Sequence, residues 1–264
     1  MIIKSIELNN FRNYESLYIV FKEGVNILYG NNAQGKTNIL EAAYLSGTSK
    51  SHKSSKDKEL IKFNEEESHI KTLVEKNNNE TLIDIRLKKN KSKGIAVNKV
   101  PLKKASDLFG NLNVVFFSPE DLNIIKDSPA ERRRFIDQEL CQIDRIYLHN
   151  LTNYNKALAQ RNKLLKDIYF HPSLKDTLSV WDDQLVNFGK NVILKRSQFI
   201  EELSETVSNI HSKITGSEIP LVMKYDPDVE MDLFSDRLLE NLDKDLKFEN
   251  TSVGPHRDDI SFSL

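Results

Sequence analysis

Hydrophobic positions alternate with polar ones from the first residues of the chain. Ile6 and Leu8 stand between polar neighbours, and residues 17–21 and 25–29 are two further β-prone runs, so strands are predicted through residue 29. A Gly-rich turn follows, and the period then lengthens: Ile39, Leu40, Ala43 and Tyr44 predict a helix ending near Gly47. Between residues 68 and 97 the strand pattern returns, through Ile70, Thr72 and Val74, then Leu82, Ile83 and Ile85, then Ile95 and Val97. Asn77-Asn78-Asn79 and Lys91-Ser92-Lys93-Gly94 predict the turns of an antiparallel meander. One more strand is predicted over residues 114–117, stopping at Ser118-Pro119.

The pattern then becomes helical. Ser128-Pro129-Ala130-Glu131 is a helix start: Ser as N-cap, Pro at the first helical position and Glu three after the cap. Apolar residues recur at Ile136, Leu140, Ile143, Tyr147, Leu151, Tyr154, Leu158, Leu165 and Ile168 until His171-Pro172. A second series runs from Leu174 through Trp181, Leu185, Phe188 and Val192 to Ile214, closing at Gly216. Two antiparallel helices of about 40 residues, each roughly 60 Å long, are expected. Gly189 is the expected interruption, and several shorter helices are the alternative. A strand over 219–225, a helix over 231–246 and a strand from 260 complete the pattern. The predicted fold is an α/β head with an antiparallel β subdomain, interrupted by a long helical hairpin arm. Its divisions are a head over 1–126, an arm over 127–216 and a return to the head over 217–264.

Composition narrows the setting. Thirty-eight Lys and Arg against 39 Asp and Glu give a formal charge of −1, so only clustered charge could attract nucleic acid. No stretch approaches a membrane span, and the first residues lack a signal peptide's apolar core. One cysteine, Cys141, excludes an internal disulfide and any Cys-based zinc site. A cytoplasmic location is expected.

The strongest chemical signal is Gly30-Asn31-Asn32-Ala33-Gln34-Gly35-Lys36-Thr37, a full match to G-x-x-x-x-G-K-[ST]. Its glycines let the backbone turn N–H groups toward phosphate oxygens. Lys36 supplies a point charge for the β and γ phosphates, and the Thr37 hydroxyl suits Mg2+. The following helix adds its positive end. A phosphate-binding loop needs an acid at a strand end before it can hydrolyse anything, and Glu120-Asp121 lies beyond a Ser-Pro break.

The chain resembles the RecF family of ABC-type ATPases, related to SMC and RecN proteins. The resemblance rests on Leu8-Asn9-Asn10-Phe11-Arg12-Asn13-Tyr14, on the loop with Asn38 after it, and on the stretch from Ser51-His52-Lys53 to Glu59-Leu60. Phe117-Ser118-Pro119-Glu120-Asp121-Leu122, Ser128-Pro129-Ala130-Glu131-Arg132-Arg133-Arg134-Phe135 and Gly254-Pro255-His256-Arg257-Asp258-Asp259 also match. It implies an ABC-type head that binds ATP with Mg2+ through residues 30–37 and Asn38, with Arg12 as a phosphate or base contact. Glu120 falls at the position that couples metal and γ-phosphate to the helical lobe. The resemblance further implies DNA replication and recombinational repair linked to the SOS response, single-stranded or gapped duplex DNA as ligand, RecO- and RecR-type partners, and ATP-dependent homodimers. The family's later signature and paired-acid strand are absent from these residues, so negligible ATP hydrolysis by this polypeptide alone is expected. Alternatives are an SMC-like chromosome-organising head, which would carry a far longer coiled coil, and a P-loop kinase.

Basic clusters are the candidate DNA contacts: Lys50, Lys53, Lys56 and Lys58 after the loop helix, then Lys88, Lys89, Lys91 and Lys93. Ordinary solvated charge is the competing reading for each. Arg132, Arg133 and Arg134 at a helix start call for an anionic partner, either nucleotide or neighbouring acids. His256, Asp258 and Asp259 are read as interdomain or nucleotide-proximal polar residues.

Overall fold

The computed structural model describes residues 1–53, 56–126 and 128–264, with Glu120 and Asn123 described in their backbone only. The chain divides into two compact units, Met1–Phe116 and Phe117–Leu264.

In the first unit, alternation builds the sheet. Strands β1 (Ile2–Phe11), β2 (Tyr14–Val20), β3 (Glu67–Lys76), β4 (Asn79–Lys88), β5 (Lys91–Val97) and β6 (Val100–Pro101) form one sheet in the order β2-β1-β3-β4-β5-β6. Every pairing is antiparallel. Ile6, Leu8, Ile70, Val74, Ile83, Ile85 and Leu87 point to the buried face, against Ala42 and Leu45 of helix α1 (Lys36–Thr48). Asn77 and Asn78 both have positive φ, as the two-residue β3–β4 turn requires, and asparagine tolerates that region better than most residues. Lys88 pairs with Lys91, so the next turn is Lys89-Asn90 and not the predicted 91–94 stretch, which lies inside β5.

Two predicted strands are corrected. Residues 25–29 and 114–117 carry no sheet pairing among the described residues, and Val25 and Tyr29 are 88% and 91% exposed. Their composition favours a strand, but a strand also needs a neighbour's amide and carbonyl groups. Val114 instead lies over α1, its Cγ2 2.6 Å from where a Cβ on Gly47 would stand. Gly47 therefore marks a close approach, and α1 ends one residue later, at Thr48, with Ser49 capping it in the left-handed region.

The second unit is mainly helical: α2 (Asn123–Lys126), α3 (Pro129–Ile143), α4 (Arg145–Phe170), α5 (Leu178–Thr215), α6 (Phe234–Glu240) and α7 (Leu242–Phe248). Strands β7 (Val222–Asp226) and β8 (Asp259–Ser263) pair antiparallel. The first expected 40-residue helix is two. Asp144 leaves helical geometry and its Oδ1 accepts the N–H groups of Ile146 and Tyr147, capping α4. Beyond it the hairpin is antiparallel, as the pairings Tyr147 with Arg196, Tyr154 beside Gly189 and Arg161 with Asp182 require.

Gly189 does not interrupt α5, which runs unbroken for 38 residues. A Cβ there would stand 2.5 Å from Phe234 Cε1 and 3.2 Å from Tyr154 Cε2, so the glycine admits Phe234 to the core. The predicted 231–246 helix is a short 3-10 turn followed by α6 and α7, separated at Asn241. Tyr154, Leu185, Ile193, Phe234 and Leu238 form an apolar cluster of this unit.

Candidate nucleotide-binding site

The loop of residues 30–35 leads directly into α1. Gly30 has φ 143° with open space around its α-carbon, while Gly35 has φ 96° and is crowded. A Cβ on Gly35 would meet Asn13 Oδ1 at 2.6 Å and the Tyr14 hydroxyl at 2.9 Å, so only glycine lets the β1–β2 turn touch the loop. Ala33, an L residue, also has positive φ, at 63°. Lys36 Nζ donates to the carbonyls of Gly30 and Asn31 at 2.8 and 2.6 Å, placing the ammonium at the loop's mouth. Asn31, Asn32, Gln34 and Thr37 line the loop and its exit, with Thr37 in the first turn of α1.

The turn after β1 fastens this loop through three consecutive residues. Tyr14 Oη donates to the Gln34 carbonyl at 3.3 Å, and Asn38 Nδ2 donates to Asn13 Oδ1 at 2.8 Å. Arg12, at φ 54°, donates from Nε and Nη2 to Glu41 Oε2 and Oε1 at 2.8 and 2.6 Å, and from Nη1 to the Glu59 carbonyl at 2.9 Å. Glu41 is fully buried in α1 and also accepts from Ser51 Oγ at 2.5 Å. Burial alone would raise its carboxyl, but the hydrogen bonds from Arg12 and Ser51 hold it below the usual carboxylate range. Nothing in the residue pattern marked Glu41, because its position on α1 reads as one more polar residue; only the fold sets it opposite Arg12.

Beside the loop, Arg12, Asn13, Asn38, Lys58, Lys62 and Phe63 line a cleft of about 900 Å³. Phe63 is 87% exposed, an aromatic face among cations. The donor set fits a nucleoside triphosphate with its metal: main-chain turns opened by glycine, one ammonium, a hydroxyl at a helix start, and an open cleft alongside.

The other sequence candidates separate. Lys50, Lys56 and Lys91 are exposed, and Lys53 and Lys58 lie on the same segment as the first two. Lys89 pairs with Glu66 at 2.9 Å, Lys88 with Glu67 at 2.7 Å, and Lys93 with Asp57 and the Ser49 carbonyl at 2.9 and 2.5 Å. Ser54 and Ser55, in the same segment, lie outside the described residues, as does the side chain of Glu120. Its neighbour Asp121 turns back on Ser118, accepting from that residue's N–H and hydroxyl.

The arginine triplet finds acids of its own unit. Arg132 holds Asp259 in a two-point pair at 2.7 and 3.1 Å, Arg133 donates to the Asp258 carbonyl, and Arg134 lies 3.8 Å from Glu131. Asp258 is buried and accepts from Arg196, Tyr225 and the Asp228 N–H, while Arg196 also reaches Asp137 and the Pro255 carbonyl. His256 sits between the Tyr154 hydroxyl at 2.6 Å and the Thr251 carbonyl at 3.0 Å. These residues lock the 254–259 segment onto the helical hairpin. Among the described residues no group of three or more His, Cys, Asp or Glu could hold a metal ion.

A glycine-opened loop feeding a helix, with its lysine at the mouth and a hairpin turn clasping it, defines a P-loop nucleotide-binding head. Residues 2–212 match the RecF/RecN/SMC N terminal domain family. The chain belongs to the RecF family: it is 63% identical over 264 residues to DNA replication and repair protein RecF of Agathobacter rectalis, a match covering all of this chain and 73% of that protein. The same protein of Lachnospira eligens is 56% identical over 266 residues, again with 73% of its length covered. Among solved structures, the recombination mediator protein RecF with ATP, of the RecFOR pathway, superposes with a TM-score of 0.94 at 36% identity, over 99% of this chain and 72% of that one. No helix among the described residues is long and apolar enough to cross a membrane.

Proposed function

We propose that the chain binds ATP with Mg2+ in the loop of residues 30–37 and acts in the cytoplasm as an ATP-dependent DNA-binding protein of replication and recombinational repair. The observation that carries the nucleotide reading is the Lys36 ammonium poised over two carbonyls of a loop whose two glycines both have positive φ. A triphosphate would take over that ammonium, receive main-chain N–H groups of the loop, and lie at the positive end of α1. Thr37 would hold Mg2+ through its hydroxyl, and the ion would supply charge neutralisation for the phosphates. Asn38 and Asn13 keep the helix start and the hairpin turn in register, and the adjoining cleft would receive the nucleoside.

Gapped or single-stranded DNA would meet the lysines Lys50, Lys53, Lys56, Lys58 and Lys91, through phosphate contacts without base reading. Partners of the RecO and RecR type, and pairing of two copies around ATP, belong to the same reading. The RecO and RecR part of it is supported by the pathway in which the superposing ATP-bound relative is placed. In this reading residues 1–126 and 217–264 serve the head and 127–216 the arm.

Equilibrium binding of labelled ATP in Mg2+ tests the nucleotide site. The unaltered chain should bind saturably, and Lys36→Ala should weaken it by at least about tenfold, as expected for losing a charge-assisted contact of roughly 1.5–3 kcal/mol. Equal retention by the two proteins would overturn the assignment.

A further inference from the structure

We infer that Glu41 is a positioning residue of the nucleotide site, acting on bound nucleotide through Arg12; the inference rests on the ATP reading above and adds to it. Glu41 has no exposed surface and lies on the second turn of α1, behind the loop. Both its oxygens are used, Oε2 by Arg12 Nε and Oε1 by Arg12 Nη2 and Ser51 Oγ. A buried pair of this kind is weak support for stability, since desolvation offsets most of the attraction. Its geometry is what distinguishes it. The two-point contact fixes the plane of the guanidinium, which an aliphatic neighbour could not do.

Arg12 is well placed to transmit that order. It stands at positive φ in the two-residue turn between β1 and β2, its own N–H donates to the Leu60 carbonyl, and the next residue, Asn13, touches both Gly35 and Asn38. Arg12 also lines the cleft beside the loop. An arginine carries five N–H donors, and Glu41 and the Glu59 carbonyl take three of them, which leaves two for a ligand in that cleft. Glu41 thus converts a mobile cation into a donor set in one orientation. Ser51 extends the same chain of contacts, because its hydroxyl also accepts the N–H of Lys53 in the basic segment.

The test is a double-mutant cycle on ATP affinity in Mg2+, using Glu41→Gln, Arg12→Met and both together, with the unaltered chain and Lys36→Ala alongside. Glu41→Gln alone should lower affinity about tenfold or more, the size usual for a residue that orients a ligand-binding group. In the Arg12→Met background the same change should make less than about a twofold difference. Nucleotide-free thermal midpoints of all variants are read in parallel. If Glu41→Gln does not fold, Arg12→Met/Glu41→Leu replaces both buried charges with apolar groups. That protein should bind ATP as weakly as Arg12→Met alone. Unchanged affinity in Glu41→Gln, or an equal loss with and without Arg12, would overturn the inference while leaving the nucleotide site intact. Failure of the unaltered chain to bind ATP would overturn both.

Discussion

Two half-buried titrating groups of the second unit give opposite pH slopes, and their signs follow from desolvation. Glu139 is pushed up to about 6 by burial, against 4.5 in an unfolded chain, so the folded protein binds that proton more readily. Its contribution to stability is complete below about pH 4.5 and is lost as the pH rises through 6, leaving a partly buried charge at pH 7. Glu139→Gln should therefore stabilise at pH 7, on the order of 1 kcal/mol after allowing for partial exposure, and make little difference at about pH 4.5. Urea midpoints at the two pH values check this, and a destabilised variant at pH 7 would contradict it. His256 runs the other way: burial holds it below its ordinary 6.5, so stability falls as the pH drops below that value. At this scale the loop was legible because Gly30, Gly35, Lys36 and Thr37 each carry a backbone, charge or hydroxyl requirement written in their type. Glu41 and Arg196 were not, because a buried charge is defined by partners far off in sequence: Arg196 and its partner Asp258 are 62 residues apart.

Elements were legible wherever periodicity had one interpretation. The strands of the meander follow their pattern, though its second turn does not, and α5 follows its own straight through Gly189, but the α3–α4 junction was missed for a specific reason. Leu140, Ile143, Tyr147 and Leu151 keep a spacing of three and four straight through it, because a single capping residue hardly disturbs the helical phase. Only Asp144, whose short carboxylate competes for backbone N–H groups, carried the signal. Asp144→Ala should cost about 1 kcal/mol, since it frees two N–H groups of α4 and removes the partner of Lys195, 2.9 Å away. Hydrogen exchange would locate the effect, with faster exchange at residues 146–148 and protection unchanged at residues 185–193. Uniform loss of protection would point to global destabilisation instead.

At the scale of the whole molecule, the charge reading can be separated from family likeness by its salt dependence. Lys50, Lys53 and Lys58 lie on one segment after α1. Their combined replacement by alanine should reduce the slope of log affinity against log salt for duplex DNA by about 2 to 3, at roughly 0.9 for each phosphate no longer neutralised. An unchanged slope would remove that segment from the interface. Residues 25–29 show where sequence patterning stopped being sufficient: β-propensity was visible, yet pairing is a property of neighbours and not of the run itself. Their exposure has a practical corollary. Val25, Ile27 and Tyr29 lie open to solvent, so a segment of matching pattern laid beside them would complete a strand that runs straight into the nucleotide loop.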